Sequence, residues 1–184
     1  MKVVVIKSPA VAPKLPEKSI SLFLAGSIEM GKADMWQDDI IEFIKTVGDA
    51  NIEELHIYNP RRENWDNSWK QSIDEPEFRQ QVEWELGLIE RSNIVAFYLQ
   101  PGTNSPISLM ELGMVSQDSF AMKKHVIVLC PEGFHRKGNV DVTAMWFDMQ
   151  LAKDPQDFKE RIRNAIQDIR FNDLSDLDEK LSKM

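Results

Sequence analysis

The stretch Asn93-Ile94-Val95-Ala96-Phe97-Tyr98-Leu99, then Ser105-Pro106-Ile107-Ser108-Leu109-Met110-Glu111-Leu112-Gly113, decides the fold. The first run is apolar without alternation, which reads as a strand buried on both faces. In the second, Ser105 suits an N-cap and Pro106 the first helical position, so a helix is expected to start there. A strand feeding a helix in this way is half of a parallel β-α-β unit. Such a helix places its first turns at the carboxyl end of the sheet, where open α/β folds bind ligands. At 100° per residue, Glu111 is expected to point the same way as Ile107, Met110, Met114 and Val115. A carboxylate on an apolar face is costly to bury unless it gains a partner or a task. The other reading, a glutamate at the stripe's edge with its head in water, is open at this point.

Working outward, short aliphatic runs alternate with amphipathic stretches, the pattern of an α/β fold with a mostly parallel sheet. Residues 19–25, 55–59, 93–99 and 126–130 read as strands, and Val140 to Phe147 as a short last strand. Trp36, Ile40, Phe43, Ile44 and Val47 form one helical stripe, and residues 77–91, 106–120 and 155–170 give three more helices. Residues 60–76 carry charges, Trp65 and Trp69 without periodicity and read as a long loop, a kind that is often functional. Val3 to Ile6 followed by Pro9, Pro13 and Pro16 suggests that residues 1–18 are an edge strand plus an irregular segment. The expectation is one domain over residues 1–184, with 171–184 as a C-terminal tail.

Composition removes several function classes. The net charge of −8 disfavours nucleic acid and anionic membranes as partners. No apolar run approaches a membrane span, and the start lacks a secretory signal. A lone cysteine, Cys130, allows no internal disulfide and suits a reducing cytoplasm. It ends the run Val126-Ile127-Val128-Leu129, where a packed core thiol is expected rather than a nucleophile. His56, His125 and His135 show no metal-ligand spacing, so neither a metal nor an organic cofactor is expected.

A second carboxylate stands out on the 77–91 helix. Its core stripe reads Phe78, Val82, Leu86 and Ile89, and Glu85 falls about 20° from Phe78, whereas Glu83 and Glu90 fall well outside. Glu85 and Glu111 thus occupy inward faces of consecutive helices flanking one strand. Two acids in different environments are what acid-base or nucleophilic chemistry at a glycosidic carbon requires. The first central strand ends in Gly26-Ser27, a turn whose N–H groups and hydroxyl could meet an anion or a sugar hydroxyl, or simply turn the chain. Trp65, Asp66 and Trp69 are placed either to cover a flat heterocycle or to pack their loop.

Phe23-Leu24-Ala25-Gly26-Ser27-Ile28, Asn59-Pro60-Arg61-Arg62, Val82-Glu83-Trp84-Glu85 and Ser105 to Gly113, in that order, resemble the nucleoside 2-deoxyribosyltransferase-like superfamily. The resemblance implies a flavodoxin-like, Rossmann-like three-layer sandwich with a five-stranded, mostly parallel sheet. It implies transfer of the deoxyribosyl group of a 2′-deoxynucleoside from one nucleobase to another. Glu111 matches the nucleophile, and Glu85 matches an aspartate that assists the leaving base, here one methylene longer. Gly26, Ser27, Asn59, Arg61, Ser105 and Ser108 match substrate-binding positions, with Trp65 and Asp66 as further candidates. Members acting on free nucleosides carry aspartate where this chain has Ser105. Related 5′-monophosphate N-glycosidases carry serine there, paired with Arg-Gly-Gly after Gly-Ser-Ile, whereas this chain has Glu29-Met30-Gly31. A carboxylate at position 29 repels phosphate, which favours an unphosphorylated nucleoside. Hydrolysis, or a nucleotide-binding sensor without turnover, are the alternatives. The resemblance further implies a homo-oligomer whose neighbouring subunit completes the site, with Asn139 and Asp141 as candidates. These could equally belong to a polar turn.

Overall fold

The computed structural model describes residues 1–29, 33–121 and 123–169. The tail expected from 171 to 184 lies outside the described residues, as do Met30, Gly31 and Arg170. The elements run β1 (Lys2–Lys7), β2 (Ile20–Gly26), α1 (Trp36–Lys45), β3 (Glu54–Asn59), α2 (Pro76–Arg91), β4 (Ile94–Tyr98), α3 (Pro106–Phe120), β5 (His125–Leu129), α4 (Lys137–Trp146), β6 (Gln150–Ala152) and α5 (Pro155–Asp168).

The strands form one six-stranded sheet in the order β1-β3-β2-β4-β5-β6, and every neighbouring pair is parallel. The five strands from β2 onward have the doubly wound order of flavodoxin-like folds. β1 extends the sheet beyond β3, so the sheet has six strands where five were expected. Apolar side chains alternate between two cores. Phe23, Val95, Phe97, Val126 and Val128 face α2, α3 and α4. Leu22, Leu24, Ile94, Ile127 and Leu129 face α1 and α5. Burying each of these large side chains contributes about 1.5–3 kcal/mol, which is why β2, β4 and β5 tolerate almost no polar residue.

Two expectations are corrected here. Residues 140–147 are not a strand: Lys137 to Trp146 form α4, and the last strand is the three-residue β6. Val140, Val142, Ala144 and Trp146 alternate as in a strand, but Val140 and Ala144 are also one helical turn apart, and these two are the buried pair. The stripe on α3 also differs. Val115 is buried with Glu111, but Ile107, Met110 and Met114 are 56%, 52% and 52% exposed. The face turned to the protein carries Ser108, Glu111, Leu112, Val115 and Ser116. α3 is apolar nearly all round, so periodicity alone does not orient it.

The chain reverses its direction of winding between β2 and β4. From β2 it moves to β3 on one side, and from β3 it crosses to β4 on the other. The carboxyl ends of these strands, Gly26 and Tyr98, are register partners. The backbone passes so closely that a Cβ on Gly26 would stand 2.3 Å from the Tyr98 carbonyl oxygen, and Gly26 has φ +125°. Only glycine fits this position. The Ser27 N–H continues the pairing by donating to the Tyr98 carbonyl at 2.8 Å.

Candidate active site

A cavity of about 860 Å³ opens at this switch point. Phe23, Ala25 and Gly26 from β2, Asn59 from β3, Gln81, Val82 and Glu85 from α2, and Ser105, Ser108 and Glu111 from α3 line it. Pro60, Arg61, Arg62 and Trp65 of the long loop form a further wall. The volume suits a molecule of nucleoside size. A second groove, of about 690 Å³, runs along the outer side of α2; its acidic residues, Asp74 and Glu83, are exposed.

Glu111 and Glu85 meet in the main cavity. Glu111 is only 6% exposed, and burial, followed by the neighbouring Glu85 charge, pushes its carboxyl up to about 8. Burial also pushes Glu85 up to about 7, against the opposing effect of a hydrogen bond from Gln81. Both shifts run in the direction that desolvation dictates, and like charges on both groups are disfavoured together. The two carboxyls therefore titrate as a coupled pair, both raised towards neutral pH. Gln81, one turn before Glu85, fixes this acid: its Nε2 donates to Glu85 Oε1 at 2.8 Å and to the Pro60 carbonyl at 3.0 Å. The Ser8 hydroxyl donates to Gln81 Oε1 and sets the amide's orientation. Gln81 escaped the sequence reading, although the helical arithmetic that found Glu85 places it about 40° away on the same face.

The other candidates divide by position. Asn59 is 1% exposed; its Oδ1 accepts from the Arg61 N–H at 3.0 Å, and its Nδ2 finds no acceptor among the described residues. A buried amide donor at a cavity wall is an orphan that a bound ligand can satisfy. Arg61 donates to Gln37 Oε1 at 2.7 Å and to the Asp34 carbonyl at 2.5 Å, tying the wall to the first turn of α1 and the segment before it. The Ser108 hydroxyl donates to the Gly26 carbonyl at 2.9 Å, which locks α3 against β2 and so places Glu111. Trp65 stands edge-on to Trp69 at 5.2 Å, and Arg62 lies 4.8 Å over the Trp69 ring. Asp66 does not line the cavity; its carboxylate accepts the Ser68 N–H. Asn139 and Asp141 lie on α4 outside this chain's cavity, with Asp141 paired to Lys137 at 2.6 Å. Cys130 is a core thiol, pushed up to about 11 by burial. Among the described residues, no three His, Cys, Asp or Glu gather as metal ligands.

Ser27 and Ser105 behave differently from expectation. Ser27 is fully buried and does not line the cavity. Its hydroxyl lies 2.7 Å from those of both Ser105 and Thr103 and accepts the Gln100 N–H at 2.9 Å. Ser105 does precede α3, but it makes no side-chain cap. It adopts φ 43°, ψ 49°, a left-handed conformation that costs a non-glycine residue roughly 1–2 kcal/mol. The hydroxyl triangle with Ser27 and Thr103 turns the Ser105 side chain inward and offsets that cost.

A doubly wound sheet with a cavity at its switch point defines a small-molecule-binding architecture. The nucleoside 2-deoxyribosyltransferase-like family model matches residues 19–134, and the chain belongs to that family. A conserved protein from Enterococcus faecalis V583, known from its crystal structure, has the same fold. It is 15% identical, with a TM-score of 0.50, and the match covers 79% of this chain and 98% of that one. No curated protein sequence matches the chain significantly. None of the described helices is long and apolar enough to cross a membrane.

Proposed function

We propose that this protein cleaves the N-glycosidic bond of a 2′-deoxynucleoside and transfers the sugar to another nucleobase. The observation that carries the reading is the placement of Glu85 and Glu111 in one cavity, with their titrations coupled. In the first step the ionised Glu111 carboxylate attacks C1′. The C1′–N bond breaks, its electron pair leaves with the base, and the Glu85 carboxyl delivers a proton to that base. In the second step a nitrogen of the incoming base attacks C1′, the bond to Glu111 breaks, and the proton given up returns to Glu85. Water in place of the incoming base gives hydrolysis. Asn59 Nδ2 supplies a donor to the bound nucleoside, and Trp65 an apolar wall. The test is incubation with deoxyadenosine, with and without a second free base, followed by chromatography. A new deoxynucleoside formed only when the second base is present supports transfer; free sugar at the same rate in both would replace it with hydrolysis. Adenosine in parallel should react far more slowly, because an electron-withdrawing 2′-hydroxyl disfavours positive charge at C1′.

The sign of the pH dependence follows from the pair. The reactive form is the pair with one proton, on Glu85 with Glu111 ionised; Glu111 is the more strongly raised of the two, so the proton passes from Glu111 to Glu85 before attack. The rate falls as rising pH strips the pair of its last proton, and it falls towards acid as both carboxyls become protonated. Glu85→Gln removes the acid and also the charge that raises Glu111. The expected result is a rate lower by about 10²–10⁴-fold for poor leaving bases, no alkaline limb, and an acidic limb moved to lower pH. An unchanged rate profile in this variant would contradict the role.

The site is further proposed to be completed by a second copy of the chain. Ile107 and Met110 belong both to the cavity wall and to the exposed apolar face of α3. α4, packed beside α3, adds Val142, Met145 and Trp146 at 59%, 72% and 74% exposure. A subunit docked on this face covers apolar surface and closes the cavity at one stroke. Light scattering should give a multiple of the 21.2 kDa chain, and Trp146→Glu should dissociate it with loss of activity. A fully active monomer would rule this assembly out.

A further inference from the structure

The two backbone N–H groups immediately before α3 stand at the edge of the cavity, and both are already occupied. Glu29 Oε1 accepts the backbone N–H of Asn104 at 2.6 Å and that of Ser105 at 2.7 Å. With Ser105 left-handed, these two successive N–H groups converge, and they sit where a fifteen-residue helix directs its positive end. Converging amides at a helix start form a ready site for an external anion. Here the chain supplies its own. The Ser105 hydroxyl, the other group at this corner able to hold an oxyanion, is engaged with Ser27 and Thr103. The described cations of the cavity wall are engaged too: Lys7 with Glu63, Arg61 with Gln37 and the Asp34 carbonyl, and Arg62 with Asn64 and the Glu77 carbonyl.

Resting on the function proposed above, we propose that Glu29 is a specificity-determining residue: its carboxylate fills the anion corner of the cavity and restricts the substrate to nucleosides with a free 5′-hydroxyl. Ser105 precedes Glu111 by six residues, about 9 Å along the helix axis, and helical side chains lean towards the N-terminus. The Glu111 carboxylate therefore stands about one deoxyribose away from the Asn104–Ser105 amides. A sugar with C1′ at Glu111 brings its 5′ end to Glu29. A hydroxyl there can donate to the carboxylate, whereas a phosphate meets a like charge at a corner whose two converging amides are already taken. Like-charge juxtaposition of this kind costs several kcal/mol.

Two variants separate the components. Glu29→Gln removes the charge but keeps an oxygen that the two amides can bond, and Glu29→Ala also frees the amides. Rates are measured on deoxyadenosine and on its 5′-monophosphate. The unsubstituted protein should favour the nucleoside. The ratio of kcat/KM for monophosphate over nucleoside should rise by about 100-fold or more in Glu29→Ala, with a smaller rise in Glu29→Gln. The same ratio in all three proteins, or a preference of the unsubstituted protein for the monophosphate, overturns the proposal. Calorimetric titration of the monophosphate into Glu111→Gln, with and without Glu29→Ala, gives a readout that needs no turnover. Monophosphate affinity that appears only when Glu29 is removed supports the role of Glu29 even if no preparation cleaves either substrate, a result that would overturn the proposed function alone. Equal affinity in both backgrounds overturns the role of Glu29. If Glu29→Ala fails to fold, Glu29→Gln in both assays decides.

Discussion

Replacement of Glu111 by glutamine is expected to lower turnover of a deoxynucleoside by roughly 10⁴–10⁶-fold, the size of loss seen when a covalent nucleophile is removed. The amide matches the carboxyl in shape but cannot form the bond to C1′. The fold should survive, and should gain. The Glu111 carboxyl is raised from 4.5 to about 8 in the folded chain, so between these values the folded state binds more protons than the unfolded state. Its contribution to stability is fully present below 4.5 and is lost as pH rises towards 8. Glutamine has no proton to lose. The variant should therefore match the parent near pH 4, exceed it by about 3 kcal/mol at pH 7, and by somewhat more at pH 8 and above, read as a shift in urea midpoint. Near-normal activity would remove Glu111 from the chemistry. Equal stability at every pH would mean that the carboxyl is not held in a desolvated state.

The second large effect is structural. Gly26→Ala places a methyl group 2.3 Å from the Tyr98 carbonyl oxygen and 2.7 Å from its nitrogen, at a φ of +125°. Overpacking against backbone and strain at this φ each cost about 1–3 kcal/mol, so a loss of roughly 3–5 kcal/mol is expected. Against a total stability of about 5–15 kcal/mol, much of the chain would be unfolded at moderate temperature. What remains folded should bind substrate poorly, because β2 and β4 must separate at the floor of the cavity. Thermal unfolding at an unchanged midpoint would contradict the close approach of these two strands.

The sheet was legible because its central strands are buried on both faces. Runs such as Ile94 to Tyr98 and Val126 to Leu129 carry no competing pattern. β6 was not legible: three half-buried residues at an edge leave no periodic signal. α4 was misread because its apolar residues satisfy a period of two and a helical turn alike. Within the site, Glu85 and Glu111 were legible as carboxylates in apolar company. For Glu111, however, only Val115 of the expected neighbours is buried beside it. Leu112, Val115 and Ser108 lie to one side of it and Ile107, Met110 and Met114 to the other, so Glu111 stands on the seam between the buried and exposed faces of α3. That seam carries the carboxylate to the cavity wall. Ser27 was legible as a turn hydroxyl and Ser105 as the residue before a helix, but not as members of an inward triangle with Thr103, since side-chain rotation in a left-handed residue leaves no mark in a sequence. The amide capture by Glu29 joins residues 75 and 76 positions apart, a distance over which periodicity says nothing.

The proposed chemistry turns on covalent capture of the sugar by the Glu111 carboxylate. The most direct measurement is mass spectrometry of the protein quenched in acid during turnover of deoxyadenosine, before and after proteolysis. A population heavier by one deoxyribosyl unit is expected, located on the peptide that carries Glu111 and absent from Glu111→Gln. Turnover that proceeds at full rate in Glu111→Gln, or a deoxyribosyl group found on another residue, would contradict it.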